Sequence, residues 1–133
     1  QYSSTLFPPA PVLELRLSAP RETAYEVVLS ALIDTGADFT LVPLDWLLRI
    51  NAPESRSANV RGLWSEQRQV TTYLVDLHLE IGVLPGIEVV GVDHEEGEDL
   101  EIVIGRNVLN QLILLLDGPH QQIDLLNRRP LKL

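Results

Sequence analysis

Apolar and polar residues alternate along much of this chain with a period of two, the spacing of strands that bury one face. After a proline-rich lead, "VLELRLS" (12–18) keeps that alternation and predicts a half-buried strand. "APRETA" supplies a turn, and "YEVVLSALI" (25–33) predicts a second strand whose far end is buried. "VPLDWLLRI" (42–50) changes to helical spacing, with Pro43 suited to a first turn. "NAPESRSA" (51–58) is a polar connector. "NVRGLW" and "QVTTYLVDLHLEI" (69–81) flank the polar "SEQR", which predicts a hairpin over about residues 59–73. "LPGIEVVGV" (84–92) reads as a turn and a strand, and "LEIVIG" (100–105) as a buried strand ending at a glycine. "RNVLNQLI" suits a short helix, and "LILLLDGPHQQIDLL" (112–126) two strands around the turn sequence Asp117-Gly118-Pro119-His120. The pattern predicts an all-β protein with one or two short helices. Each half ends an apolar strand at a glycine, Gly36 or Gly105, and follows it with a short helix.

Composition narrows the class of function. The 133 residues fit one domain, 1–133, with a core of its own. Apolar residues at 45% and charged residues at 22% are ordinary globular usage. A net charge of −9 argues against phosphate contacts, so no nucleic-acid partner is expected. Arg128, Arg129 and Lys132 read as solvated charges. With no cysteine, disulfides, thiolate nucleophiles and thiolate zinc sites are excluded. No apolar run approaches the roughly 18 residues of a membrane span, and the start lacks the pattern of a signal peptide, so a cytoplasmic protein without membrane contact is expected.

Chemistry enters where an apolar strand runs into "DTGADFT", residues 34–40. A carboxylate at the inner end of a hydrophobic strand is costly unless something uses it. Gly36 permits a tight turn and close backbone approach, and Thr35 can hold the turn by a side-chain hydrogen bond. The tripeptide by itself is common in turns. "DHEEGED" (93–99) gathers Asp93, His94, Glu95, Glu96, Glu98 and Asp99, but its spacing is not that of an EF-hand, and it reads as a solvated loop without a metal. His78 and His120 have no serine or metal partner suggested by the sequence, and nothing marks a nucleophile elbow.

The longer pattern is more specific. "ALIDTGADFT", followed some 65 residues later by "IVIGRNVLNQL", resembles the retropepsins, the retroviral-type aspartic proteases, and the lead "FPPAPVLELRL" resembles their soluble bacterial members. The matching segments keep the family's order over residues 12–126. The resemblance implies a closed-barrel-like acid protease fold that is active as a homodimer, with no cofactor and no metal. It makes Asp34 the catalytic residue. Thr35 would brace the opposing loop across a two-fold axis, Gly36 would leave room for near-coplanar carboxylates, and Ala37 would be a small wall of the cleft. Asp38 would pair with Arg106, while Thr40, Gly105 and Asn107 would support the active-site loop from behind. Gly62, Leu63 and Trp64 would sit in the flap that covers substrate. This flap has a single glycine, where family flaps are glycine-rich.

Hydrolysis by carboxylates needs two of them sharing one proton, one as base toward a water and one as acid toward the carbonyl oxygen. This chain has one D-T-G, so the second Asp34 must come from a second copy. The implied function is an aspartic endopeptidase acting on peptide or protein substrates, with apolar subsites expected at Leu32, Ala37, Val42, Leu63, Val103 and Ile104. The alternative is a dimeric module of the same fold, binding peptides or assembling with an idle dyad. Under either reading the hairpin at 112–126 is expected to form the dimer interface.

Overall fold

The structure, a computed structural model, describes residues 1–61, 67–93 and 101–129. Gly62, Leu63 and Trp64, and the acidic loop beyond Asp93, lie outside the described residues. The strands are β1 (Tyr2–Ser3), β2 (Ala10–Ser18), β3 (Leu29–Ile33), β4 (Thr40–Pro43), β5 (Glu54–Arg61), β6 (Gln67–Leu79), β7 (Gly82–Val92), β8 (Ile102–Ile104), β9 (Ile113–Asp117) and β10 (Gln122–Leu126). Two short helices, α1 (Leu44–Arg49) and α2 (Arg106–Leu109), follow β4 and β8.

Strand pairing closes on itself. The order β2-β3-β8-β4-β7-β6 returns to β2 through Arg16↔His78, Leu17↔Leu77 and Ser18↔Asp76, a six-stranded barrel. Closure leaves few open edges, which protects a small β protein from pairing with stray strands. β1 and β5 hang on its outside, paired to β2 and β6. The two strands that run into the glycine turns meet in the barrel wall, although only Gly105 leads directly into a helix; β4 intervenes between Gly36 and α1. β3 and β8 lie parallel with Ala31↔Ile102 and Ile33↔Ile104 in register.

Alternation along these strands fills the interior. Leu15, Leu17, Val42, Val75, Leu77, Val89 and Ile104 are all at most 2% exposed. Each such side chain contributes about 1.5–3 kcal/mol by leaving water. α1 is too short to persist alone and is held by its packing. Leu47 is fully buried, while Trp46 carries Tyr25 edge-on at 5.8 Å and the Arg49 guanidinium over its face at 4.7 Å.

Several boundaries differ from those that the pattern predicts. The strand expected at 25–33 starts only at Leu29. Extending the Leu15↔Leu29 register would set Leu17 opposite Val27, yet it is the Tyr25 N–H that donates to the Leu17 carbonyl. The Tyr25 ring is taken by Trp46, and the chain leaves the sheet there. Val42 and Pro43 belong to β4 rather than to the helix, and Pro43 is the cap residue before α1. The polar connector is strand from Glu54 onward, because a hairpin's outer strand needs only one apolar neighbour. The hairpin itself is formed by β5 and β6, with Val60↔Arg68 among its last pairs.

The terminal hairpin β9–β10 pairs with no other strand among the described residues. His120 closes its turn, its backbone N–H donating to Asp117 Oδ1 at 3.2 Å and its ring Nδ1 lying 2.9 Å from Asp117 Oδ2. That contact holds the Asp117 carboxyl below its ordinary range. Among the described residues, no helix is long and apolar enough to cross a membrane.

Candidate active site

Asp34 follows directly on β3, where the barrel wall ends. Its N–H still donates to the Ile104 carbonyl of β8 at 3.0 Å, so the turn begins inside the ladder. The Gly36 N–H then donates to Asp34 Oδ1 at 2.9 Å and the Ala37 N–H to the Asp34 carbonyl at 3.2 Å. A Cβ on Gly36 would lie 3.2 Å from Asp34 Oδ1, so the glycine lets the carboxylate fold over its own turn. Asp34, Thr35 and Gly36 are exposed. The sequence leads one to expect a desolvated carboxylate; in the single chain this one faces water, because the strand that precedes it ends at the barrel's lip.

α2 holds the loop from behind. The Arg106 N–H donates to the Ala37 carbonyl at 2.8 Å and the Asn107 N–H to that of Asp38 at 3.3 Å. The Arg106 guanidinium donates through Nη1 to the Thr35 carbonyl at 2.9 Å, and through Nη2 it pairs with Asp38. Gly105 lets the helix come this close. A Cβ there would lie 2.4 Å from the Phe39 carbonyl oxygen and 3.0 Å from that of Ala37, both backbone atoms that cannot rotate away.

Beneath the loop sits a buried polar knot. Asn107 Oδ1 accepts from both the N–H and the hydroxyl of Thr40, each at 2.9 Å. Thr40 Oγ1 in turn accepts from the Gly105 N–H at 3.1 Å, and Asn107 Nδ2 donates to the Glu88 carbonyl of β7 at 2.7 Å. Thr40 is fully buried, and no buried polar side-chain atom among the described residues lacks a partner. Satisfied networks of this kind fix one arrangement. Thr40→Val keeps the shape but strands the buried Gly105 N–H, at a cost of about 1–3 kcal/mol. Urea unfolding is expected to show that loss, with Thr40→Ser losing less than half as much. Equal losses in the two variants would mean that the hydroxyl is not what matters.

The structure thus brings Asp34, Thr35, Gly36, Ala37, Asp38, Thr40, Gly105, Arg106 and Asn107 into one cluster. It does not bring all the expected cleft walls with them. Val42 and Ile104 are fully buried in the core, because alternation turns them inward; Leu32, Ala37 and Val103 are half-buried. His78 does have a serine partner that the sequence did not suggest. Its Nε2 lies 2.8 Å from Ser18 Oγ, an approach made by the β2–β6 register. Ser18 is only 2% exposed, and the oxygens of nearby Asp76 accept from the Arg21 and Gly86 backbone N–H groups. The Glu88 carbonyl was also missed. A backbone acceptor leaves no mark in a sequence.

No protein-family model and no curated protein matches this sequence. Solved structures do. The chain is similar to EIAV protease in complex with the inhibitor HBY-793, at 15% identity and a TM-score of 0.52, over 77% of this chain and 86% of that one. It is also similar to the retroviral protease-like domain of Ddi1 from Leishmania major, at 14% identity and a TM-score of 0.53, over 88% of this chain and 90% of that one. With its closed six-stranded barrel and two short helices, this chain has the retropepsin-like fold.

Proposed function

We propose that this protein is an aspartic endopeptidase whose active site forms only when two copies join, each giving one Asp34. The observation that carries this reading is the exposed D-T-G loop, held rigidly from behind by α2 yet open to water on its front. One carboxylate cannot serve as both base and acid in the same step, whereas two about 3 Å apart hold a single proton between them and do both. The base carboxylate takes a proton from a water, the water oxygen attacks the peptide carbonyl, and the acid carboxyl protonates the carbonyl oxygen.

The β9–β10 hairpin supplies a surface for pairing. Among the described residues its strands pair only with each other, and open strand edges are templates for another chain's strands. Leu115 and Leu116, adjacent and therefore on opposite faces, are 43% and 49% exposed. Sedimentation together with cleavage of a mixed peptide library at pH 4 to 7 tests the reading. A dimer that cuts is expected; a dimer that cuts nothing favours a binding or assembly module, and a monomer that cuts removes the two-copy mechanism.

Charge opposes this assembly. Two protomers of net charge −9 repel until salt shortens the screening length, from about 30 Å at 0.01 M to about 8 Å at 0.15 M. The dimer dissociation constant is expected to fall several-fold across that range. A constant that rises with salt would mean that attractive ion pairs dominate the interface.

A further inference from the structure

Glu88 lies in the middle of β7, and its two ends reach in opposite directions. Its carboxylate takes a bidentate contact from Arg56, at 2.8 Å from Nε and 2.9 Å from Nη2. Its backbone carbonyl accepts from Asn107 Nδ2, the amide whose oxygen holds Thr40 beneath the Asp34 loop.

Arg56 belongs to β5, which is not a neighbour of β7; the order is β7-β6-β5, so the guanidinium spans the width of β6. A register shift between Glu54 and Ser57 makes this possible. A bulge of this kind re-aims a side chain and bends its strand. Thr72 of β6 fills the interrupted ladder. Its hydroxyl accepts from the Arg56 N–H at 3.3 Å, and its one proton has two acceptors in reach, the Arg56 carbonyl at 3.1 Å and Glu88 Oε2 at 2.9 Å. Thr72 is fully buried, and the Glu88 side chain is 22% exposed. Among the described residues, β5 pairs in the sheet with β6 alone.

We propose that Glu88 is a positioning residue, tying the base of the β5–β6 hairpin to the loop that carries Asp34. The inference rests on the protease reading above and on the resemblance, which implies that this hairpin covers substrate. An exposed single ion pair is worth little, but a bidentate fork backed by a buried hydroxyl fixes geometry as well as charge. Arg56 above all, with Thr72 and Ser55, holds the Glu88 carboxyl below its ordinary range against the opposing effect of burial. The contact is therefore kept above the usual carboxylate range and is lost only as pH falls through the lowered value. It persists at mildly acidic pH.

The test has two readouts, one of them independent of activity. In the dimer of this chain, Arg56→Ala and Glu88→Gln are each expected to speed hydrogen exchange at the Thr40 amide about ten-fold while β2–β3 amides stay unchanged, a size typical of coupled contacts. For an extended peptide, KM is expected to rise about ten-fold with kcat held within two-fold, as when a binding contact is lost rather than active protein. The exchanged pair Arg56→Glu with Glu88→Arg is expected to bring KM partway back. Unchanged Thr40 exchange in both variants, or a fall in kcat at constant KM, overturns the proposal. Should the natural chain cut no peptide while Thr40 exchange responds, the tie stands and the protease reading fails instead.

Discussion

Asp34→Asn is expected to lower peptide cleavage by about 10³-fold or more while leaving fold and dimer intact, the scale on which a positioned acid–base group acts. The substitution is nearly isosteric, and it keeps the one hydrogen bond that the carboxylate makes among the described residues. An amide Oδ1 accepts from the Gly36 N–H as the carboxylate does at 2.9 Å. Asp34 is exposed, so folding gives up no buried charge pair when it is neutralised. In the dimer two neutral amides replace a pair that already shares one proton, so one negative charge and one shared hydrogen bond are lost together, and the chains are still expected to pair. What disappears is the shared proton, because an amide is neither a base toward water nor an acid toward a carbonyl. Peptide cleavage measured beside sedimentation checks both halves. Residual activity within ten-fold of the natural chain would place the chemistry elsewhere.

Gly105→Ala carries the largest expected cost to stability. The backbone at Gly105 has φ −95° and ψ −177°, a conformation open to any residue, so the cost is one of contact and not of strain. The added methyl carbon would meet the Phe39 carbonyl at 2.4 Å for oxygen and 2.5 Å for carbon. To make room, the loop and α2 must part, and the Arg106→Ala37 and Asn107→Asp38 backbone hydrogen bonds part with them. Overpacking of this kind costs about 3 kcal/mol, which for a chain of this size lowers Tm by roughly 10 °C. Gly118→Ala is the control, since nothing lies within 4 Å of its Cβ. A melting point for Gly105→Ala within two degrees of the control's would mean that the loop and helix yield freely, contrary to a rigid support for Asp34.

Much of this was legible in the sequence because it is local. Period-two alternation in "VLELRLS", the turn residues of "LDGPHQ" and the strand-to-glycine endings at Gly36 and Gly105 each state their geometry within a few residues. The resemblance carried the rest of the cluster, with Arg106 meeting Asp38 and Asn107 meeting Thr40. What the sequence hid is non-local. Tyr25 leaves the sheet because Trp46, from another element, offers its ring a place. Ser18 finds His78 through the register of two strands 60 residues apart. Val42 and Ile104 turn toward the core rather than a cleft because of which face the closed barrel encloses, and no window of sequence shows closure. Glu88 is the plainest case. Read alone, it is one polar residue in an alternating strand; its partners come from β5, β6 and α2.

The central claim is that one site needs two chains, and mixing tests it most directly. Natural and Asp34→Asn chains are combined in equal amounts, allowed to exchange protomers, and assayed against the natural protein at the same total concentration. If each site takes one Asp34 from each copy, only natural–natural pairs cut, and activity falls to about one quarter. If each chain carries a complete site, activity falls only to about one half, and the shared-site account is wrong.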